Sequence, residues 1–256
     1  MPPPFPVLIL GGTSEAMQLA ALLADNGAYA PLMSFAGRTQ ALRPPPIPHR
    51  VGGFGGAEGL ATFLREKRFA AVVDATHPFA VRMSANAATA CGQVHLPLMV
   101  LTRPAWKRQR GDNWIEVESF AAAAAALGEA PRTVLLTVGR QELAAFRGGV
   151  AHRYVVRTVD AVDAVLLPDA AQVILARGPF DTADELQLMR DAAIELVVSK
   201  HSGGAATYGK IAAARELGLP VVMIKRPRAA VEGELHDASA VLAWLEALRA
   251  THDAAS

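Results

Sequence analysis

LPLMVLTRP at Leu96–Pro104 is answered by LPVVMIKRP at Leu219–Pro227, each an apolar strand closed by a basic residue and a proline. Upstream of the first lies AAVVDATHPFA from Ala70, and upstream of the second ELVVSKHSGGA from Glu195. Both are apolar strands that run into a polar turn and then an alanine-rich helical stretch. Earlier still, VLILGGTSEA from Val7 and VLLTVGRQEL from Val134 read as the opening strand, turn and helix of each half. This repeated beat predicts right-handed crossovers and mostly parallel sheets, hence an α/β chain of two lobes, 1–104 and 105–256, with a cleft between their loops. Because the two closing strands are near copies, either can complete either sheet. Exchange of Leu98–Thr102 and Val221–Lys225 between the lobes is one expectation, and sequential pairing within each lobe is the alternative.

At 256 residues the chain suits one large domain or two small ones, and 52% hydrophobic residues suit parallel sheets buried on both faces. The formal net charge of +1 exerts no global pull on nucleic acid or membrane, so electrostatic recognition has to be local. Twenty arginines against five lysines fit either a GC-rich genome or a carboxylate-rich ligand, which guanidinium forks match in bidentate fashion. Cys91 is the only cysteine, which excludes an internal disulfide and points to the reducing cytoplasm. MPPPFP at the start carries no basic residue, so no export segment is expected. The seven histidines are scattered rather than set at ligand spacing, and no metal is expected.

In open parallel sheets ligands bind beyond the carboxyl ends of strands, where nearly every unusual turn of this sequence falls. GGTSEA at Gly11 fits a phosphate cradle of bare amides ahead of a helix capped by Thr13 or Ser14. Thr13 and Ala16 stand where a GxGxxG fingerprint has glycines, so a dinucleotide site and a purely structural turn are both compatible. The second strand, about Tyr29–Phe35, ends at Gly37, Arg38 and Thr39 with no acid. An arginine there accommodates the extra phosphate of NADP, whereas NAD calls for an acid; a solvated surface arginine is the alternative. Gly52, Gly53, Gly55 and Gly56 around Phe54 permit close approach to a ligand or form a turn of no consequence. Asp74, Thr76 and His77 bring an acid, a hydroxyl and an imidazole to one strand end. Asp74 is expected to fix the turn, and His77 is either a proton donor or a structural residue.

In the second half, WKRQRGDNW at Trp106–Trp114 reads as a bridge, followed by a helix rich in Ala121–Ala126. Strands follow at Val134–Val138, Tyr154–Thr158, Val173–Ala176 and Leu196–Ser199. Asp181 and Asp237 are expected to cap the helices after them, and the tail after Thr251 to fray. The turns at these strand ends are basic and small: Gly139 and Arg140, Arg177 and Gly178, then Lys200, His201, Ser202, Gly203 and Gly204. A ligand meeting Arg140, Arg177 and Lys200 together is a polyanion, and Gly203 and Gly204 supply amides of the kind an anion nest requires. No serine sits in a nucleophile elbow, so hydrolase chemistry ranks low.

GGTSEA, GRT at Gly37, VGGFGG at Val51, DATHPFA at Asp74, RPAW at Arg103, VGR at Val138, SKHSGGAAT at Ser199 and AARELGLPVVMIKRP near the end occur in a telling order. It is the order of the precorrin-6A reductases of cobalamin biosynthesis, which the chain resembles over nearly its whole length. The resemblance implies two Rossmann-like lobes and an NADPH-dependent reduction of one double bond of the precorrin-6A macrocycle to give precorrin-6B. For the cofactor it implies Gly11, Gly12, Thr13, Ser14, Glu15, Ser34, Gly37, Arg38, Thr39, Gly53, Gly55 and Thr76. Arg140, Arg177, Lys200, Ser202, Gly203 and Gly204 would face the polycarboxylate tetrapyrrole. Lys200 and His77 are the side chains to test as proton sources, with water or a substrate carboxyl as substitutes. Transient handover to the next pathway enzyme belongs to the same picture. The alternatives are the cobalt-containing version of the reaction with NADH, and a dinucleotide-binding protein without turnover.

Overall fold

In the computed structural model, which describes residues 3–37, 44–148, 151–227 and 233–255, the chain forms two units. One comprises the residues up to Arg103 together with those from Pro227 onward; the other runs from Pro104 to Arg226. The first unit contains β1 (Phe5–Leu10), α1 (Ser14–Ala24), β2 (Tyr29–Phe35), β3 (His49–Val51), α2 (Ala57–Glu66), β4 (Ala71–Asp74), α3 (Val81–Val94) and β5 (Leu98–Leu101). The second contains β6 (Asn113–Val117), α4 (Phe120–Ala125), β7 (Thr133–Thr137), a 3-10 helix (Arg140–Phe146), β8 (Arg153–Thr158), a short 3-10 turn (Ala164–Leu166) and β9 (Ala171–Leu175). It continues through α5 (Thr182–Asp191), β10 (Leu196–Lys200), α6 (Gly209–Glu216) and β11 (Pro220–Ile224). The chain then rejoins the first unit as β12 (Glu234–Leu235) and α7 (Ala238–Ala255).

Among the described residues each sheet has six strands, in the orders β3-β2-β1-β4-β5-β12 and β9-β8-β7-β10-β11-β6, and the pairings are parallel. These are two Rossmann-like lobes with the same order of strands. Continuous apolar runs form the central strands because helices cover both faces. Along β1 the two-residue period divides the cores. Val7 and Ile9 pack with Leu19 and Leu23 of α1 and Val241 and Leu245 of α7, while Leu8 and Leu10 pack with Leu60 and Leu64 of α2. In the second unit Leu135, Val155, Val197 and Val221 pack with Met189 of α5 and Ile211 of α6.

Several expectations need correction. The second lobe does not extend to residue 256, because α7 buries Val241 and Leu245 in the core of the first unit. Leu98–Leu101 and Pro220–Ile224 are not exchanged, since β5 pairs with β4 and β11 with β10. The strands that cross over are the next ones in the chain: β6 follows β5 yet edges the second sheet, and β12 follows β11 yet edges the first. A parallel return to the same sheet needs a long connection, usually a helix, and the stretch between β5 and β6 contains none. The bridge read at Trp106–Trp114 therefore ends in a strand, with Trp114 buried. Further on, the residues after Gly139 form a 3-10 rather than an α-helix, and α7 continues past Thr251 to Ala255.

Candidate active site

The strand order of the first sheet reverses between β1 and β4, whose last residues, Leu10 and Asp74, are register partners. That is where such sheets receive ligands. Past Leu10, Gly11 N donates to Ser34 O at 2.9 Å, and a Cβ on Gly11 would lie 2.8 Å from Cγ and Sδ of Met33. Gly12 takes φ +126°, which favours glycine, and a Cβ there would meet nothing within 4 Å, so the space over the turn is open. Thr13 is the N-cap of α1: its Oγ1 accepts from Ala16 N at 3.2 Å and donates to Ala75 O at 2.7 Å. One hydroxyl thus fixes the head of α1 against the end of β4. The first amides of the helix lack intrahelical acceptors, and with the positive end of the helix dipole they suit a pyrophosphate. An open glycine turn ahead of a capped helix fits a dinucleotide.

At the end of β4, Asp74 is buried and its Oδ1 accepts from Thr76 N at 3.1 Å and Thr76 Oγ1 at 2.7 Å, so it closes the turn. His77 Nδ1 accepts from Phe79 N at 3.2 Å, which leaves the proton of a neutral ring on Nε2. Glu15 accepts from Ser14 Oγ at 3.1 Å and stands 3.8 Å from Arg103 Nε. Gly37, Gly53 and Gly55 are exposed. Arg38 and Thr39 lie outside the described residues. Sequence reasoning missed Arg50, which is the register partner of Ser34 and donates from Nη1 to Ser34 Oγ at 2.8 Å. The available signal was a lone arginine in a short strand directly before the glycine cluster.

Of the expected cations of the second unit, Arg140 and Arg177 follow β7 and β9, and Lys200 is the last residue of β10. β7 and β10 are neighbours, but β9 is three strands from β10, roughly 14 Å at the usual strand spacing, so Arg177 is apart from Lys200. Arg140 stands 3.8 Å from Asp160, and Lys200 Nζ 4.0 Å from Glu142, so acids moderate both charges. The anion nest is not open. Ser202 and Gly203 are buried, Gly204 N donates to Pro104 O at 3.2 Å, and Ser202 Oγ lies 3.3 Å from Thr207 Oγ1. Arg226 closes the turn by donating from Nε to His201 O at 2.9 Å and from Nη2 to Ser202 O at 2.7 Å. A Cβ on Gly203 would collide with that guanidinium and with Pro104, which explains the glycine. His201, set between Trp106 and Trp114, donates from Nε2 to Trp106 O at 3.1 Å, and Trp106 Nε1 donates to Gly204 O at 2.6 Å. Burial pushes the His201 imidazole below its usual range. Arg226 and Trp106 stood in quoted motifs, but nothing in the sequence assigned either a role in this turn, because both act through backbone partners that only folding brings close.

The family model described as Precorrin-6x reductase CbiJ/CobK matches residues 6–246. The precorrin-6A reductase of a Sinorhizobium species is 50% identical over 225 residues, covering 88% of this chain and 86% of its own. The cobalt-precorrin-6A reductase of Priestia megaterium is 29% identical, over 87% of this chain and 91% of its own. A solved structure of CobK precorrin-6A reductase superposes with a TM-score of 0.90 at 43% identity, covering 95% of this chain and 97% of that one.

Proposed function

This chain belongs to the precorrin-6x reductase family, and we propose that it draws on NADPH, held at the carboxyl edge of the first sheet, for the family's reaction. It is an oxidoreductase of cobalamin biosynthesis that reduces one double bond of precorrin-6A to give precorrin-6B. The observation that carries the cofactor reading is the turn at Gly11–Thr13, open over Gly12 and capped by Thr13 at the point where strand order reverses. When bound, the nicotinamide supplies hydride. One carbon of the double bond takes that hydride and its neighbour takes a proton, so the chain has to align the ring and admit a proton source. We assign the phosphates to the amides at the head of α1, the 2′-phosphate to Arg38, and the nicotinamide end to the turn at Thr76 and His77.

From the second unit, Arg140, Arg177 and Lys200 are the side chains we assign to the acetate and propionate groups of the tetrapyrrole. Lys200 beside Glu142, and His77 through Nε2, are the side chains we put forward as proton sources. Greater similarity to the precorrin-6A reductase than to the cobalt-precorrin-6A reductase favours the cobalt-free substrate. We place the reaction in the cytoplasm, with handover of product to the next enzyme; among the described residues no helix is long and apolar enough to cross a membrane. Incubation with precorrin-6A and either NADPH or NADH, followed by visible absorption, tests the reading. Conversion that is faster with NADPH is expected. A spectrum that stays unchanged with both cofactors overturns the reductase reading.

A further inference from the structure

We infer that Arg50 is a further specificity-determining residue of the cofactor site, additional to Arg38, with its guanidinium placed to share the grip on the 2′-phosphate that distinguishes NADPH from NADH. The inference rests on the NADPH reading above. Arg50 is the register partner of Ser34, next to the last residue of β2, and Rossmann-type sheets meet the adenosine ribose at the carboxyl end of that strand. Its Nη1 donates to Ser34 Oγ at 2.8 Å and Gly52 O at 3.0 Å, and its Nη2 to Gly53 O at 3.2 Å. All three acceptors are neutral, so they orient the fork without cancelling its charge.

The guanidinium carbon lies 4.3 Å from the Phe54 ring centroid and 5.3 Å from that of Phe63. Those two rings are only 5.2 Å apart, too close to sit on opposite faces of the guanidinium, so both lie to one side of it. Arg103, Arg140, Arg157 and Arg215 each stand against a carboxylate; among the described residues Arg50 has none within ion-pair distance. A half-buried cation that is oriented by hydrogen bonds, backed by aromatic rings and lacking an acid is suited to a dianionic phosphate ester. An arginine that served only to rivet the glycine loop would affect every dinucleotide alike.

Dissociation constants for NADPH, NADH, 2′,5′-ADP and 5′-ADP, measured by calorimetry on the full chain and its Arg50→Ala and Arg50→Lys variants, separate these roles. Arg50→Ala is expected to weaken NADPH and 2′,5′-ADP about 10- to 100-fold more than NADH and 5′-ADP, the range for losing a charge-assisted hydrogen bond. Arg50→Lys keeps the charge but not the fork, and should fall between. Should circular dichroism show Arg50→Ala unfolded, Arg50→Gln is read by the same criterion. Equal weakening of both dinucleotides overturns this inference alone. Wild-type protein that binds neither dinucleotide overturns the parent NADPH reading and this inference with it.

Discussion

Arg157 and Glu185 form an ion pair whose side chains are 7% and 1% exposed, with the guanidinium also 3.8 Å from the Phe180 ring centroid. Removing the acid leaves a buried charge without compensation, and Glu185→Ala should cost about 3–5 kcal/mol in urea unfolding. Glu185→Gln, which keeps an acceptor, should cost less; a loss near zero for Glu185→Ala would mean that water already reaches Arg157. His201 gives a pH prediction. Its folded pKa is depressed, chiefly by burial, below the ordinary value of 6.5, so the unfolded chain binds more protons as pH falls. The stability it contributes is complete above pH 6.5 and declines as pH drops below that value toward the folded pKa. Unfolding midpoints between pH 7 and 5 should fall for the native chain, and His201→Gln should flatten that slope. Arg157 and Glu185 carried no signal in the sequence, and His201, read only as part of a basic turn, gave none of its burial, because neither an arginine in a strand nor a histidine after a lysine declares it.

Among the elements, α1 shows how local chemistry sets the site. Thr13→Val removes both the cap and the tie to Ala75, and should cost about 1–2 kcal/mol, measured by chemical denaturation. Dinucleotide affinity should drop with it; unchanged affinity would show that the head of α1 does not hold the phosphates. The caps at Thr13, Asp181 and Asp237 were readable from residue type alone, and each accepts amides as expected. So were the strands that begin near Val7, Ala71, Val134 and Leu196, whose apolar runs are long and uninterrupted. β6 escaped notice because an edge strand buries little: Trp114 is covered while Asn113, Ile115 and Glu116 face outward. The turn at Ser202–Gly204 was read as an anion nest from its glycines, yet the Gly204 amide that such a nest would present donates to Pro104 O, and Arg226 binds the His201 and Ser202 carbonyls beside it. Glycine spacing records a need for close approach but not what approaches.

For the whole molecule, the return of the chain to its first unit makes a sharp prediction. Ending the chain after Arg226 deletes β12 and α7 and strips Val241, Leu245 and their neighbours from the core around α1. Each such side chain stabilises by about 1.5–3 kcal/mol when buried, so losing several consumes most of a stability of roughly 5–15 kcal/mol. The truncated chain should show rapid proteolysis within residues 3–101 while 104–226, which keeps all six of its strands, resists. Equal protection of both stretches would refute this dependence. The sequence by itself determined the class: hydrophobic period, glycine turns and caps are local properties, and they dictated α/β units with ligand-ready strand ends. It also held the order of motifs that marks the family. Only the tertiary structure decided which sheet receives β6 and β12, and which cations stand against acids. Those outcomes depend on contacts between residues far apart in the chain, which no local pattern encodes.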